Sequence, residues 1–327
     1  MIHQGQSGAE PESFAPRPGD DRIKVLYILG HGRSGTTLLS RILGQVEGFF
    51  SIGEIFQIWE RNLIGNRYCG CGSRFRDCEI WRAVFDEAFG GFDGVDVKGM
   101  IRAWNSMMRT RHLAYFLLPG HRARMQRHLA AYLQTLERLY VAIASVTSAK
   151  VIVDPSKYPT YAYLLNMIPG LDLSIVHLVR DPRGTAYSWQ KVKPQPDGDT
   201  PDEIMGRMSP AFSTGLWIAW NIAGEAMWRS GDIPYYRIRY EDFIRHPREE
   251  VKKMVQLTGE GEMKLPFVSE HEVTLGPDHS LSGNPNRFER GAIRLQLDDS
   301  WKERMRLRDR LLVSAMTLPM RRRYRYP

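Results

Sequence analysis

Residues 26–43, LYILGHGRSGTTLLSRIL, set an apolar strand, a glycine-rich turn and a helix end to end. That order is the layout of a phosphate-binding loop, in which backbone amides at the start of a helix, aided by the helix dipole, cradle an anion. The standard form of such a loop, G-x-x-x-x-G-K-[ST], places a lysine on the transferred phosphates and a hydroxyl on magnesium. Gly30 and Gly35 have the required spacing, but Thr36 and Thr37 follow directly and the lysine is missing. Arg33, inside the loop, is the nearest replacement cation. The loop keeps its phosphate cradle and loses its metal and γ-phosphate apparatus, which argues against an ATP- or GTP-driven kinase or GTPase.

Three further runs read as strands. KVIV (150–153) and LSIVHLV (173–179) repeat the continuous apolar pattern of KVLYIL (24–29), and YYRIRY (235–240) is a shorter, more polar version. Each of the first two leads through a turn into a helical stretch, so strands alternate with helices. That predicts an α/β fold: a P-loop-NTPase-like parallel sheet flanked by helices on both faces, with a helical insertion between the first strands. Within the insertion Met125, Leu129, Leu133, Leu136, Tyr140 and Ile143 recur at helical steps, as do Phe212, Leu216, Trp220 and Met227 further on. KVKPQPDGDTPDE (191–203) reads as a Pro- and Asp-rich loop long enough to be a lid. No repeat or strong internal boundary appears, so one domain is expected over 23–310, between a polar, disordered leader (1–22) and a basic tail (311–327).

Charge and cysteines narrow the partners. The formal charge is +8, and residues 301–327 hold nine Lys or Arg against two Asp or Glu, so most of the excess sits at the C-terminus. A solvated basic tail is the simplest reading; no nucleic-acid module accompanies it, and no nucleic-acid partner is expected. No apolar run is long enough to span a membrane, and the first residues lack the order of a secretion signal, which suggests a cytoplasmic chain. Cys69, Cys71 and Cys78 lie close together with no nearby histidine as an obvious fourth zinc ligand. Buried free thiols are the favoured reading, with a 71–78 or 69–78 bridge or a metal as alternatives.

GRSGTT (32–37) after a buried strand resembles the 5′-phosphosulfate loop of the sulfotransferases that use 3′-phosphoadenosine 5′-phosphosulfate (PAPS). VHLVRDPRGTAYS (176–188) resembles their 3′-phosphate segment, an arginine at a strand end and a serine eight residues later. Asp181 suits a helix cap and Pro182 its first turn, and Ser188, two turns on, returns to the face of Arg180. SGNPNRFERGAIRLQ resembles the last nucleotide-binding stretch, and RYEDFIRHP (239–247) a structural one. The resemblance runs from about residue 23 to 306, closer to bacterial and Golgi-type members than to cytosolic ones. It implies that Gly32, Arg33, Ser34, Gly35, Thr36 and Thr37 hold the 5′-phosphosulfate. It further implies that Arg180 and Ser188 hold the 3′-phosphate, with Arg287, Arg290 and Gly291 closing over the nucleotide. PAPS is the implied donor, 3′-phosphoadenosine 5′-phosphate the product, and no metal is required.

Sulfuryl transfer asks for a base on the acceptor hydroxyl, in-line placement and charge compensation on the leaving phosphate. DPSKYP lacks the Lys-x-His base segment of cytosolic members. FFSIGEIF instead has the Gly-Glu setting of the tyrosyl-protein and carbohydrate types, which points to Glu54 as general base, with His279 as a second candidate. Lys157, with Arg33, is the cation for the sulfuryl oxygens or the leaving group. The expected acceptor is a hydroxyl of a carbohydrate or small natural product. Trp59, Trp104, Phe116, Trp189 and Phe212 are candidate stacking residues, and Arg102, Arg109 and Arg111 a candidate anion patch. The alternatives are an ATP-dependent small-molecule kinase, protein tyrosine sulfation, and a non-catalytic nucleotide- or RNA-binding protein. Oligomeric state is left open.

Overall fold

The computed structural model describes residues 22–107, 110–116, 120–198, 200, 202–229 and 231–327. The leader up to residue 21 and Arg109 lie outside the described residues. Five strands form one parallel sheet: β1 (Ile23–Leu29), β2 (Phe49–Ser51), β3 (Val151–Lys157), β4 (Leu171–Val179) and β5 (Tyr235–Arg239), in the order β2-β3-β1-β4-β5. Alternate residues of β1 enter opposite cores. Val25, Tyr27 and Leu29 pack with the helical insertion, while Leu26 and Ile28 pack with the helices Thr36–Leu43 and Pro247–Leu257. That two-sided burial is why the central strands read as unbroken apolar runs.

The expected strands are all present, and β3 runs four residues further than its apolar stretch. Asp154 and Ser156 are tolerated in it because Tyr140 Oη donates to Asp154 Oδ2 (2.5 Å) and the Ser156 amide to Oδ1 (2.9 Å). The periodic stretch through Met125 and Ile143 is two helices, Arg122–His128 and Ala130–Thr147, separated at Leu129. Phe212, expected in a buried stripe, is 60% exposed on the helix Pro210–Trp228, whereas Trp217, Trp220 and Trp228 are buried. Strand β2 at the sheet edge and an antiparallel sheet of β6 (Phe267–Ser269), β7 (Glu272–Leu275) and β8 (Gly291–Arg294) were not legible as runs.

The basic C-terminus is not a solvated tail. Leu307–Met316 and Leu318–Arg323 are helices, and Tyr324 and Tyr326 are buried against Val179 and Trp217. Tyr326 Oη reaches Glu241 Oε2 (2.8 Å) and the Val179 carbonyl (3.1 Å). Tyr324 and Tyr326 anchor the end of this segment to the body, and Arg323, directly before them, pairs with Glu225 at 2.5 Å. Among the described residues no helix is long and apolar enough to cross a membrane.

Candidate active site

All parallel strands point their carboxyl ends at the same edge, and the connections there build a cavity of about 430 Å³. After β1 the chain turns through Arg33 (φ 70°) and Gly35 (φ 91°) into the helix Thr36–Leu43. Gly35 is required twice over: its φ is left-handed, and a Cβ there would lie 2.6 Å from the Tyr240 ring. No side chain caps the helix, so the first-turn amides of Thr36, Thr37 and Leu38 are left for whatever the cavity holds. Trp189 Nε1 donates to the Gly32 carbonyl (3.2 Å), and the Arg33 guanidinium lies 4.8 Å from the Trp189 ring centre. Burial lowers the pKa of Arg33, and the Glu54 charge acts the other way.

Glu54 and Lys157 enter the same cavity from β2 and β3. Gly53 (φ 69°) lets the chain pass within contact of Leu281, where a Cβ would lie 2.2 Å from the Leu281 carbonyl oxygen. The Glu54 amide then donates to that carbonyl at 2.7 Å. Lys157 ends β3 with φ 73°, a conformation a non-glycine residue adopts at a cost of roughly 1–3 kcal/mol. Lys157 Nζ donates to Glu54 Oε1, and Gln57 Nε2 donates to Oε2 at 2.9 Å. Strained backbone at Arg33 and Lys157, on two sides of one cavity, is what a site that fixes side-chain direction would show.

Arg180 follows β4 and reaches under the loop. Its guanidinium donates to the Arg33 carbonyl (3.0 Å), to the Asp298 carbonyl (2.8 Å) and to Asp298 Oδ2 (3.1 Å), and it lies over Tyr240. Asp181 caps the helix Pro182–Gln190 through the Arg183 amide, as the sequence predicts. Gly184 packs beside Arg180, and buried Ser188 is one turn further along the same helix. Lys191 Nζ also reaches Asp298 (3.4 Å). Burial lowers the pKa of Lys193, and the neighbouring Arg33, Lys191 and Arg180 lower it further. Asp298 shows the converse: burial opposes its ionisation, but Ser300, Arg180 and Lys191 outweigh that and hold the carboxyl well below its usual range. Arg180 and Lys191 therefore converge on one acidic side chain beside the loop.

Gly32, Arg33, Gly35, Thr36, Thr37, Glu54 and Lys157 thus share the cavity, with Arg180 behind the loop. Ser34 is buried in the turn, and its Oγ has no protein partner. The stretch after residue 280 departs from expectation. It reaches the cavity through Gly283, Asn284 and Asn286 rather than through its arginines. Arg287 is buried and spent on Asp197 (2.8 Å) and the carbonyls of Tyr68 and Ser280. Arg290 donates to the Cys71 carbonyl (2.8 Å), and Gly291 opens β8. His279 is also elsewhere, with Nδ1 3.2 Å from Cys78 Sγ.

Sequence reasoning missed His31, which lines the cavity between Trp189 and Trp220. Burial, then Lys157, lowers its pKa to about 3, so it is neutral at physiological pH. Its Nδ1 has no protein partner. Lys191 and Lys193 were also missed as cations; the one available signal was KVK directly after the Arg180 helix. Of the proposed stacking residues, Trp189 lines the cavity and Trp104 stacks on Phe56 in an adjoining groove. Trp59 and Phe116 are core. Arg102 is surface-exposed, 3.6 Å from Asp96, and Arg111 is exposed as well.

A family profile described as "Sulfotransferase family" matches residues 26–261. Among solved structures the chain is similar to the sulfotransferase domain from the Synechococcus PCC 7002 olefin synthase, at 17% identity and a TM-score of 0.45, covering 94% of this chain and 98% of that one. It is also similar to the sulfotransferase domain from the curacin biosynthetic pathway, at 16% identity and a TM-score of 0.49, covering 93% and 98%. A sulfotransferase from Alicyclobacillus acidocaldarius matches at 16% identity and a TM-score of 0.34, covering 82% and 89%. No curated protein matches the chain.

Proposed function

This chain belongs to the sulfotransferase family, and from that premise we propose that it moves a sulfuryl group from PAPS to a hydroxyl of a carbohydrate or small natural product, with Glu54 as general base. One observation carries the reading: a carboxylate and a lysine, paired with each other, face a phosphate loop that has no lysine of its own, inside one cavity. A kinase loop carries its cation within the loop to hold a metal-bound triphosphate. Here the cation comes from β3, next to a base.

In this reading the first-turn amides of Thr36–Leu43 and Arg33 hold the 5′-phosphosulfate, while Arg180 and Ser188 hold the 3′-phosphate. Glu54 accepts the acceptor's proton as the hydroxyl oxygen bonds to sulfur and the bond from sulfur to the 5′-phosphate oxygen breaks. Lys157 and Arg33 offset the charge that grows on the departing phosphate, a task that needs no metal. Lys157 lets go of Glu54 when an anion arrives, so the carboxylate is released as the lysine turns to the donor. Tyr158, Trp189, Trp220 and Phe56 give the cavity aromatic walls suited to a ring or alkyl face of the acceptor. Arg287 and Arg290 are left out of the donor site, and Asn284 and Asn286 take their place in that wall.

Titration calorimetry with 3′-phosphoadenosine 5′-phosphate, ADP and ATP, with and without magnesium, tests this without knowledge of the acceptor. Tight, magnesium-independent preference for the 3′-phosphorylated nucleotide supports the reading. Preference for magnesium–ATP overturns it in favour of a kinase.

A further inference from the structure

Away from the cavity, the fold joins the three cysteines to a histidine 201 residues further along the chain. Tyr68 and Arg74 bridge to close a tight hairpin that carries Cys69 and Cys71, and the Cys69 amide donates to the Ser73 carbonyl at 2.9 Å. Cys78 is the N-cap residue of the helix Glu79–Phe89. The segment 278–281 lies across both, with Gly70 donating to the Ser280 carbonyl and Trp81 Nε1 to the His279 carbonyl (2.8 Å). His279 thereby turns Nδ1 toward the sulfurs, at 3.2 Å from Cys78 and 3.8 Å from Cys69, while Cys71 and Cys78 are 3.8 Å apart. All four ligand atoms lie within 4.8 Å of one another. The earlier expectation of buried free thiols without a fourth ligand rested on sequence distance, and the fold removes that distance.

We propose that Cys69, Cys71, Cys78 and His279 bind one structural zinc ion. Bond lengths of about 2.3 Å to sulfur and about 2.0–2.1 Å to nitrogen put tetrahedron edges at about 3.8 Å between sulfurs and about 3.6 Å from sulfur to nitrogen. The spacings here fall around those edges. Three thiolates and an imidazole are a soft, tetrahedral donor set that suits zinc over calcium, magnesium or manganese. Four protein ligands leave no open position, so the ion is structural and takes no part in catalysis. The surroundings suit the net negative charge of three thiolates on a dication. Cys78 sits at a helix N-terminus, and the Arg290 guanidinium is fastened to the Cys71 carbonyl.

The position gives the ion a task. Two residues past His279, Leu281 donates to the Ile52 carbonyl (3.0 Å) and accepts from the Glu54 amide (2.7 Å). The metal therefore clips the hairpin to the segment that aligns Gly53 and Glu54, and through Gly283 and Asn284 it braces one wall of the cavity. This inference stands on the cluster alone and does not depend on what the cavity binds.

The test is the metal content of the full-length protein, produced in zinc-supplemented medium and purified without chelator, read by elemental mass spectrometry. About one zinc per chain is expected, falling at least ~10-fold in Cys71→Ser and Cys78→Ser. Should those variants not fold, two measurements on the wild type decide. Its thiols should react slowly with a thiol reagent and speed up when a strong chelator is added. Protein loaded with cobalt(II) instead should show thiolate-to-cobalt charge transfer and the visible bands of tetrahedral cobalt. A metal-free wild type with freely reactive thiols, or a native mass two hydrogens short from a disulfide, overturns the proposal.

Discussion

Lys157 donates to Glu54 at the point where β2, β3 and the phosphate loop meet, and both side chains are about nine-tenths buried, at 10% and 12% exposure. The pair closes a gap that the chain itself creates. Left-handed backbone at Gly53 and Lys157 turns the two side chains toward each other over the loop, and neither strand could present them there in extended conformation. In the proposed reaction Glu54 stays occupied by Lys157 until an anion draws the lysine away, which would tie proton abstraction to donor binding.

Glu54→Gln keeps the shape and the contact with Gln57 and removes the base. Binding of 3′-phosphoadenosine 5′-phosphate should change little while turnover of PAPS falls at least ~100-fold, the scale of general-base catalysis. Lys157→Met should differ in kind, weakening nucleotide binding and turnover together. Calorimetry and single-turnover assays on both variants separate the roles; a Glu54→Gln enzyme at the wild-type rate would remove Glu54 as base.

Arg180 is already bonded to Asp298 and to the Arg33 carbonyl, so a 3′-phosphate at the site proposed for it would compete with an internal carboxylate. Arg180→Ala should weaken binding of 3′-phosphoadenosine 5′-phosphate by about 1.5–3 kcal/mol, the range for a hydrogen bond to a charged group. Asp298→Asn should tighten it. Asp298 is 41% exposed, so the gain is held to about 0–1 kcal/mol, the range of a screened surface pair. ADP, which lacks the 3′-phosphate, should be indifferent to both; equal effects on the two nucleotides would take Arg180 off the 3′ end.

The parts legible in the sequence were those written in short range. A strand buried on both faces declares itself as an apolar run, and the Asp181–Pro182 helix start and the loop glycines follow from local backbone rules. What stayed hidden was built by long-range closure. His279 meets Cys78 only because Leu281 lies against Gly53. Arg287 looked like a nucleotide ligand because nothing local says that Asp197 will bury with it. The C-terminal arginines dominated the charge count and masked Tyr324 and Tyr326, whose burial decides where that segment lies.

The Arg287–Asp197 pair also makes a stability prediction. Both side chains are almost wholly buried, at 1% and 3% exposure, so removing one partner strands the other's charge. Arg287→Met should cost about 3–5 kcal/mol in urea unfolding, and adding Asp197→Asn should return much of it. Gln195, which lines the cavity, donates to Asp197 at 2.5 Å. The single variant should therefore also weaken acceptor or nucleotide binding, and the double variant less so. A single variant as stable as the wild type would mean that the pair is not buried in solution.

Asp154 gives a pH dependence with a definite sign. Burial raises its pKa from the usual 3.8 to about 6, against the hydrogen bonds from Ser156 and Tyr140 that pull it down. The folded state then binds this proton more tightly than the unfolded state. Its contribution is full below about pH 4 and is lost as pH rises through about 6. His31, lowered by burial to about 3, works the other way, since its unfolded form takes up a proton that the folded form refuses between about pH 3 and 6.5. The wild-type curve sums the two, and a substitution is needed to part them. Asn at 154 mimics the protonated acid, accepting from Ser156 and donating to Tyr140. Asp154→Asn should therefore match the wild type near pH 4 and gain on it by about 1–3 kcal/mol by pH 7. Urea midpoints measured for both proteins across that interval check it; parallel curves would mean that Asp154 titrates alike in the folded and unfolded chain.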